Sequence, residues 1–465
     1  MSADRFHEGK ALHQAGEFAA AIAVYREVVA AEPGHFRALN NLAACHEELD
    51  QHAEAEAAFR GALAIAPDEA PLHHNLGRLL HLESRLDEAE HHYRRSLELD
   101  SSIGGAHFNL GRLLQESGRP EDAEPALRAA AAEDPDAPAT HSFLGDALFA
   151  QRRVEEALAA YQRVAELDPD DAAARFDLGK SFETLRRADE AVACYRAALE
   201  RDARSEAARE ALARALESAG KHDEAIASLK EWLTVQPDNA LAEHLLASLG
   251  GSHAPERASD GYVRETFDRF ASDFDRTLAR LQYQAPQLVI AMIAVALGEP
   301  PQSLEVLDAG CGTGLCGPLL KPYARRLVGI DLSGGMLERA KRREVYDELV
   351  EAELTAYFSE HLAEYDVIAS ADTFCYLGAL QSPLDAARRS LRPGGLLAMT
   401  LERRAEGTGP LLQASGRYSH DEAYVRHALS VAGFERAVIA HGNLRMEGGA
   451  AVAGLLVSAW RATAN

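Results

Sequence analysis

Alanine recurs in one register through the first half of the chain. Ala21, Ala55, Ala89, Ala123, Ala157, Ala191 and Ala225 stand thirty-four residues apart. Four positions after each comes a bulky side chain: Tyr25, Phe59, Tyr93, Leu127, Tyr161, Tyr195 and Leu229. Twelve positions before each the series runs Gly9, Ala43, Gly77, Gly111, Gly145, Gly179 and Ala213; twelve after, it runs Pro33, Pro67, Ser101, Pro135, Pro169, Ala203 and Pro237. This spacing predicts a helix–turn–helix in each unit, with the Gly or Ala of the first helix packed closely on the second. No single pair can bury its apolar face, so stacking builds the core. Seven units cover about residues 2 to 239, and the segment after Asn239 reads as a closing helix with one apolar side.

Gly250 to Pro255 breaks the composition, which places a domain boundary there, between 1–250 and 251–465. Beyond it, short Val/Ile/Leu runs at 304–308, 326–331, 349–354, 365–372, 394–402, 437–441 and 454–460 alternate with helical segments. Runs of this kind predict a mostly parallel sheet covered on both faces, with the last two strands as an antiparallel edge hairpin.

The thirty-four-residue period, with its Gly, Ala-x3-aromatic and Pro positions, resembles the tetratricopeptide repeat (TPR) family. The resemblance implies an all-α binding solenoid over half the chain, so chemistry is expected in the other half. The sixth position of successive repeats includes Asn41, Asn75 and Asn109, and three residues later stand Arg78 and Arg112. An amide donates and accepts, which suits an extended peptide of any sequence. The arginines beside it suit acidic side chains, so a groove binding a protein or peptide with an acidic segment is expected.

Composition narrows the rest. A net charge of −25 argues against a nucleic-acid groove. The N-terminus lacks the apolar core of a signal peptide, and Leu288–Leu297 is too short to span a bilayer. Cys45, Cys194, Cys311, Cys316 and Cys375 form no CxxC pair and read as reduced thiols of a cytoplasmic protein. The nineteen histidines are scattered, so no metal site is expected.

Val306-Leu-Asp308-Ala-Gly310-Cys311-Gly312-Thr-Gly314 follows the first strand of the second half. Glycines at a strand-to-helix turn permit positive φ and let a ligand lie against bare backbone. A nicotinamide-binding turn would read GxGxxG; this one reads GxGxG with an acid two residues upstream. Here the chain resembles the class I S-adenosylmethionine (SAM)-dependent methyltransferases, with a Rossmann-like seven-stranded fold. The resemblance implies that Asp308 faces the methionine ammonium and Asp331, ending the second strand, the ribose hydroxyls. It extends the cofactor site to Cys311, Leu332, Met336, Glu353, Leu354, Ala371 and Asp372, with Glu351 an alternative to Glu353 at the adenine. Phe267, Phe270 and Phe274 share one helix face, as in a lid, with Tyr262 the stronger cofactor candidate and ordinary packing expected of Phe270 and Phe274.

The acceptor pocket is expected around Arg417, Tyr418, His420 and Tyr376. Arg417 suits a carboxylate, and Tyr418 or His420 a proton. Asp372 reads equally as a helix N-cap. A carboxylate acceptor needs no base. Ala371-Asp-Thr-Phe-Cys375 is not an Asn/Asp-Pro-Pro-Tyr motif, which disfavours planar-amide or nucleobase nitrogen; Cys375 lacks the Pro-Cys context of a cytosine-attacking thiol. Three readings remain: a methyltransferase that recruits a protein partner through its repeats, a small-molecule methyltransferase whose repeats serve assembly, and a SAM-binding adaptor without catalysis. The intact glycine turn and its acids disfavour the last.

Overall fold

In the computed structural model, which describes residues 2–463, the chain forms two compact units, one ending at Lys221 and the other beginning at His222. The first is a solenoid of helix pairs: α1 (Ser2–Gln14) and α2 (Phe18–Ala31), α3 (Phe36–Glu47) and α4 (His52–Ile65), α5 (Ala70–Leu82) and α6 (Leu86–Leu99), α7 (Ala106–Glu116) and α8 (Pro120–Glu133), α9 (Pro138–Ala150) and α10 (Val154–Leu167), α11 (Ala172–Thr184) and α12 (Ala188–Arg201), then α13 (Glu206–Ser218). The register alanines are all buried at 0% exposure, as are the bulky residues four later except Tyr161 at 2%. A Cβ on Gly179 would stand 2.4 Å from the Tyr195 ring, and one on Gly145 2.6 Å from that of Tyr161. Glycine costs a helix interior about 1 kcal/mol relative to alanine. Here it lets a ring lie on bare backbone, and burial of that ring offsets the cost. The thirty-four-residue pattern is thus one packing solution repeated.

The second unit opens with α14 (His222–Val235) and α15 (Ala240–Ser248), which the repeat pattern assigns to the solenoid. The His244 ring of α15 stacks on Tyr262 at 3.9 Å, and its Nε2 lies 2.8 Å from the Gly416 carbonyl. Ala247 is buried with Leu412 and Tyr418. The segment read as a linker is stitched down as well. The Tyr418 hydroxyl donates to the Pro255 carbonyl at 2.5 Å, Gly378 N and Ala379 N donate to Glu256 O, and Ala258 N donates to Tyr376 O. The expected boundary at 250 therefore lies inside this unit, and the division falls before α14.

Helices α16 (Asp260–Phe270), α17 (Phe274–Arg280) and α18 (Ala285–Leu297) precede the sheet. Its strands are β1 (Leu304–Ala309), β2 (Ala324–Asp331), β3 (Glu348–Glu351), β4 (Tyr365–Ser370), β5 (Leu391–Arg403), β6 (Pro410–Leu412), β7 (Tyr418–His420), β8 (Phe434–Glu447) and β9 (Ala450–Arg461). The order runs β3-β2-β1-β4-β5 in parallel; β9 then pairs antiparallel with β5, and β8 with β9. Each apolar run of the sequence holds one of these seven strands. The short β6 and β7 branch from the C-terminal end of β5, where Glu402 and Arg403 pair with Ser419 and His420. Alternate residues enter opposite cores: Leu307, Ile368 and Leu397 pack with Phe358 and Phe374, while Val306, Val367 and Leu396 pack with Val289 and Ile293 of α18. That is why the strands read as unbroken apolar runs. Among the described residues no helix is long and apolar enough to cross a membrane.

Candidate active site

The turn after β1 is bare backbone. Gly310, Gly312 and Gly314 have φ of 76°, 55° and 83°, a region that side-chain-bearing residues avoid. A cavity opens above it at the C-terminal ends of β1, β2, β3 and β4. Gly310, Cys311 and Gly312 line it from the turn, Asp331 and Leu332 from β2, Glu353 and Leu354 from beyond β3, and Ala371 and Asp372 from beyond β4. Phe267 of α16 and Phe274 of α17 cover it, and Tyr283 and Tyr376 close one side. Two aspartates fasten the covering helices. Asp268 accepts from Ser333 Oγ at 2.5 Å and Gly335 N at 3.1 Å. Asp275 accepts from Thr313 Oγ1 and from Arg343 Nη2 at 2.6 Å.

The acids beneath the cavity are strained electrostatically. Asp308 is 1% exposed, accepts from the Tyr346 hydroxyl at 2.6 Å on one oxygen, and leaves Oδ1 without a partner. Burial raises its carboxyl to about 7, with the Tyr346 bond opposing and Asp331 adding. Asp308 lies behind the turn and not among the cavity's lining residues, and its orphaned, buried oxygen would fit a ligand that brings a positive charge or a donor. Asp331 accepts from Gly312 N and from Ser333 N, both at 2.9 Å, so it binds the turn to the end of β2. Burial raises its pKa as well, against those two backbone donors. Glu353 N-caps the helix Leu354–Glu360 by accepting from Ala356 N at 2.8 Å, so the expected strand 349–354 ends at Glu351.

Some expected cofactor residues stand off the cavity. Tyr262 is held by the His244 stack, with its hydroxyl against Gly416, while Phe267 and Phe274 take the covering place. Phe270 is 51% exposed. Gly314 packs on Arg343 and Tyr346, and Met336 is fully buried in the helix Gly334–Lys341. Of the acceptor candidates, Tyr376 lines the cavity. His420 is fully buried beside the Gly378 carbonyl at 3.2 Å, and burial lowers its pKa to about 4. Tyr418 spends its hydroxyl on Pro255, and burial pushes it up to about 12. Arg417 pairs with Glu402 at 2.7 Å and Glu447 at 2.6 Å.

Asp372 does not cap a helix. It sits at φ 53°, and Arg445 donates to its Oδ2 at 2.7 Å. Burial raises its pKa and Arg445 opposes that rise. Arg445, 5% exposed, also reaches Glu402 and Glu447. Sequence reasoning passed over Tyr283, Glu402 and Arg445. A charged residue inside a long strand was the available signal for the last.

In the solenoid, Asn41 donates to the Tyr25 hydroxyl at 3.2 Å, Asn75 to Asn40 at 2.9 Å, and the Asn109 amide lies 2.9 Å from His74 Nε2. Arg78 pairs with Glu47 at 2.7 Å, and Arg112 with Glu116 at 3.5 Å. Apart from the Arg112–Glu116 pair within α7, these groups join neighbouring helices, and the basic stripe is met by acids within the array. Among the described residues no cluster of His, Cys, Asp and Glu is placed to hold a metal ion.

Comparison with known proteins agrees with this layout. A family described as "Methyltransferase domain" matches residues 307–399, and tetratricopeptide repeat families match 34–102, 68–132, 108–172 and 176–240. Methyltransferase-like protein 27 of Homo sapiens is 36% identical over 140 residues, 29% of this chain and 55% of that protein. Malonyl-[acyl-carrier protein] O-methyltransferase of Geobacter sulfurreducens is 30% identical over 195 residues, 37% of this chain and 69% of that one. The enzyme of that name from Yersinia pestis is 28% identical, covering 29% of this chain and 48% of its own. The chain thus spans about half the length of most of these relatives. A solved tetratricopeptide protein, YrrB, is 19% identical with a TM-score of 0.39 over 40% of this chain and 96% of its own.

Proposed function

Since the chain belongs to the methyltransferase family, with tetratricopeptide repeats ahead of the catalytic fold, we propose that it methylates, from SAM, a protein or peptide recruited by the repeats, or a group that partner carries. The observation that carries this reading is the glycine turn over Asp308, whose Oδ1 is buried and unpartnered. When bound, SAM supplies an electrophilic methyl group on a sulfonium. Asp308 would meet the ammonium of its methionine part, and Asp331 the ribose hydroxyls beside Gly312. Leu332 and Leu354 would flank the adenine near Glu353, all three lining the cavity. Phe267 and Phe274 exclude water from above. Positioning of this kind suffices for much of the rate of an in-line displacement.

Recruitment falls to the faces of the first helices of each pair. Arg78 and Arg112 are already paired there and the Asn41, Asn75 and Asn109 amides already bonded between helices, so we place recognition on Phe108, Phe143 and Phe176 more than on net charge.

Calorimetry of the full chain with SAM and with its demethylated product tests the cofactor reading. Asp331→Ala should weaken binding by about 1.5–3 kcal/mol, the loss of a hydrogen bond to a charged group. Equal affinity of the variant and the wild type would remove the ribose assignment. Labelled SAM added to cell extract tests recruitment: label should enter protein with the full chain and not with a chain lacking 1–221.

A further inference from the structure

Resting on the SAM reading, we propose that the methyl acceptor is an amine nitrogen, seated at the β4 end of the cavity between Tyr283, Tyr376 and Asp372, and that it is not a carboxylate. The charges there argue for it. A carboxylate acceptor needs a free guanidinium or ammonium to clamp it. Arg445 has all three nitrogens committed, to Asp372, Glu402 and Glu447, and Arg417 is committed to Glu402 and Glu447. Three carboxylates thus surround two guanidiniums, and the cluster keeps a net negative charge. Among the described residues lining the cavity, Arg257 alone is cationic, and Asp260 holds it at 2.5 Å. Asp372 lines the cavity at this end, so the field there favours a cation.

The walls suit a cation too. The Phe267 ring stands edge-on to Tyr376 at 5.4 Å and to Phe274 at 6.0 Å, and Tyr283 lines the same cavity. Aromatic faces around a carboxylate are the arrangement that holds alkylammonium groups. The Tyr283 and Tyr376 hydroxyls meet no partner among the described residues, so both remain for the hydrogens or lone pair of an amine. Burial raises the pKa of Asp372, which makes it a better proton acceptor than an ordinary aspartate. The acceptor enters as an ammonium, and the Asp372 carboxylate takes one N–H proton and so frees the lone pair. That lone pair forms the N–C bond as the S–C bond breaks, the S–C electron pair stays on sulfur, and the methylated nitrogen leaves as an ammonium.

Two measurements on the full chain test this. First, thermal melting is followed without SAM in tetramethylammonium chloride, sodium chloride and sodium acetate at equal ionic strength. The melting temperature should rise with tetramethylammonium alone. Asp372→Asn should weaken that rise by roughly tenfold in midpoint concentration. Equal melting in the ammonium and sodium salts, or a rise with acetate, overturns the proposal. Second, product labelled from methyl-labelled SAM in cell extract is treated with alkali. Label that stays on the product supports an N-methyl group, and label released as methanol shows an ester and overturns it. Absence of SAM binding in calorimetry would instead bring down the cofactor reading itself.

Discussion

Asp308→Asn separates what this acid does for the fold from what it does for the ligand. The carboxyl ordinarily titrates near 3.8 and is raised to about 7 by burial in the folded chain. Below the unfolded value both states are protonated and folding carries no penalty. Between the two values the unfolded chain is ionised and the folded one is not, so stability falls as pH rises. Above about 7 the penalty is complete, on the order of 4 kcal/mol. Asparagine keeps an acceptor for the Tyr346 hydroxyl, now 2.6 Å from Oδ2, and removes the charge. The variant without ligand should therefore melt higher than the wild type at pH 8 and at nearly the same temperature at pH 4. Ligand binding should run the other way. An ammonium beside Oδ1 favours the ionised form, so SAM binding expels a proton, nearly one per site at pH 6 and about half at pH 7. Calorimetry in phosphate and in imidazole, which both buffer here and whose ionisation heats differ widely, reads this number directly. Asp308→Asn should bind more weakly and expel none. Equal heats in the two buffers at pH 6, or a variant that still releases a proton, would refute the argument.

Other expectations follow from the packing. Gly179→Ala places a Cβ 2.4 Å from the Tyr195 ring and should cost about 1–3 kcal/mol by overpacking, read as a lower melting transition of the repeats with SAM affinity unchanged. Gly61→Ala, with Leu39 3.8 Å away as its nearest contact, should be neutral or stabilising. A fragment beginning at His222 should melt higher than one beginning at Gly251, because only the former keeps His244 against Tyr262 and Gly416; equal melting would show that α15 adds nothing to the sheet unit. Asn75→Ala should lower repeat stability by about 0.5–1.5 kcal/mol through loss of its bond to Asn40, and normal stability in urea would mean the amide serves a partner instead.

What the sequence made legible, and what it hid, differ in range. The repeat register was readable because each unit repeats one local contact, a small residue beneath a bulky side chain (a ring in five units, leucine in two), and seven copies rise above an alanine-rich background. The seven strands and the glycine turn were readable for a similar reason: strand interiors are uniformly apolar, and positive φ needs glycine. The contact division before α14 was not readable, although the tetratricopeptide match runs on to 240. Gly250 to Pro255 has a linker's composition, yet the Pro255 carbonyl is taken by Tyr418 and that of the next residue, Glu256, by Gly378 and Ala379, residues more than a hundred positions away. The acceptor end was hidden for the same reason. Arg417 looks like a free clamp until Glu402 and Glu447 are brought to it, and Asp372 looks like a cap until Arg445 arrives from β8. Local pattern therefore reveals where a cofactor of this class would lie, since the turn carries its own signature. The charge left over for an acceptor is a sum over distant strands. It emerges only when the sheet is closed, and that sum, negative here, is the ground on which we propose an amine and not a carboxylate as acceptor.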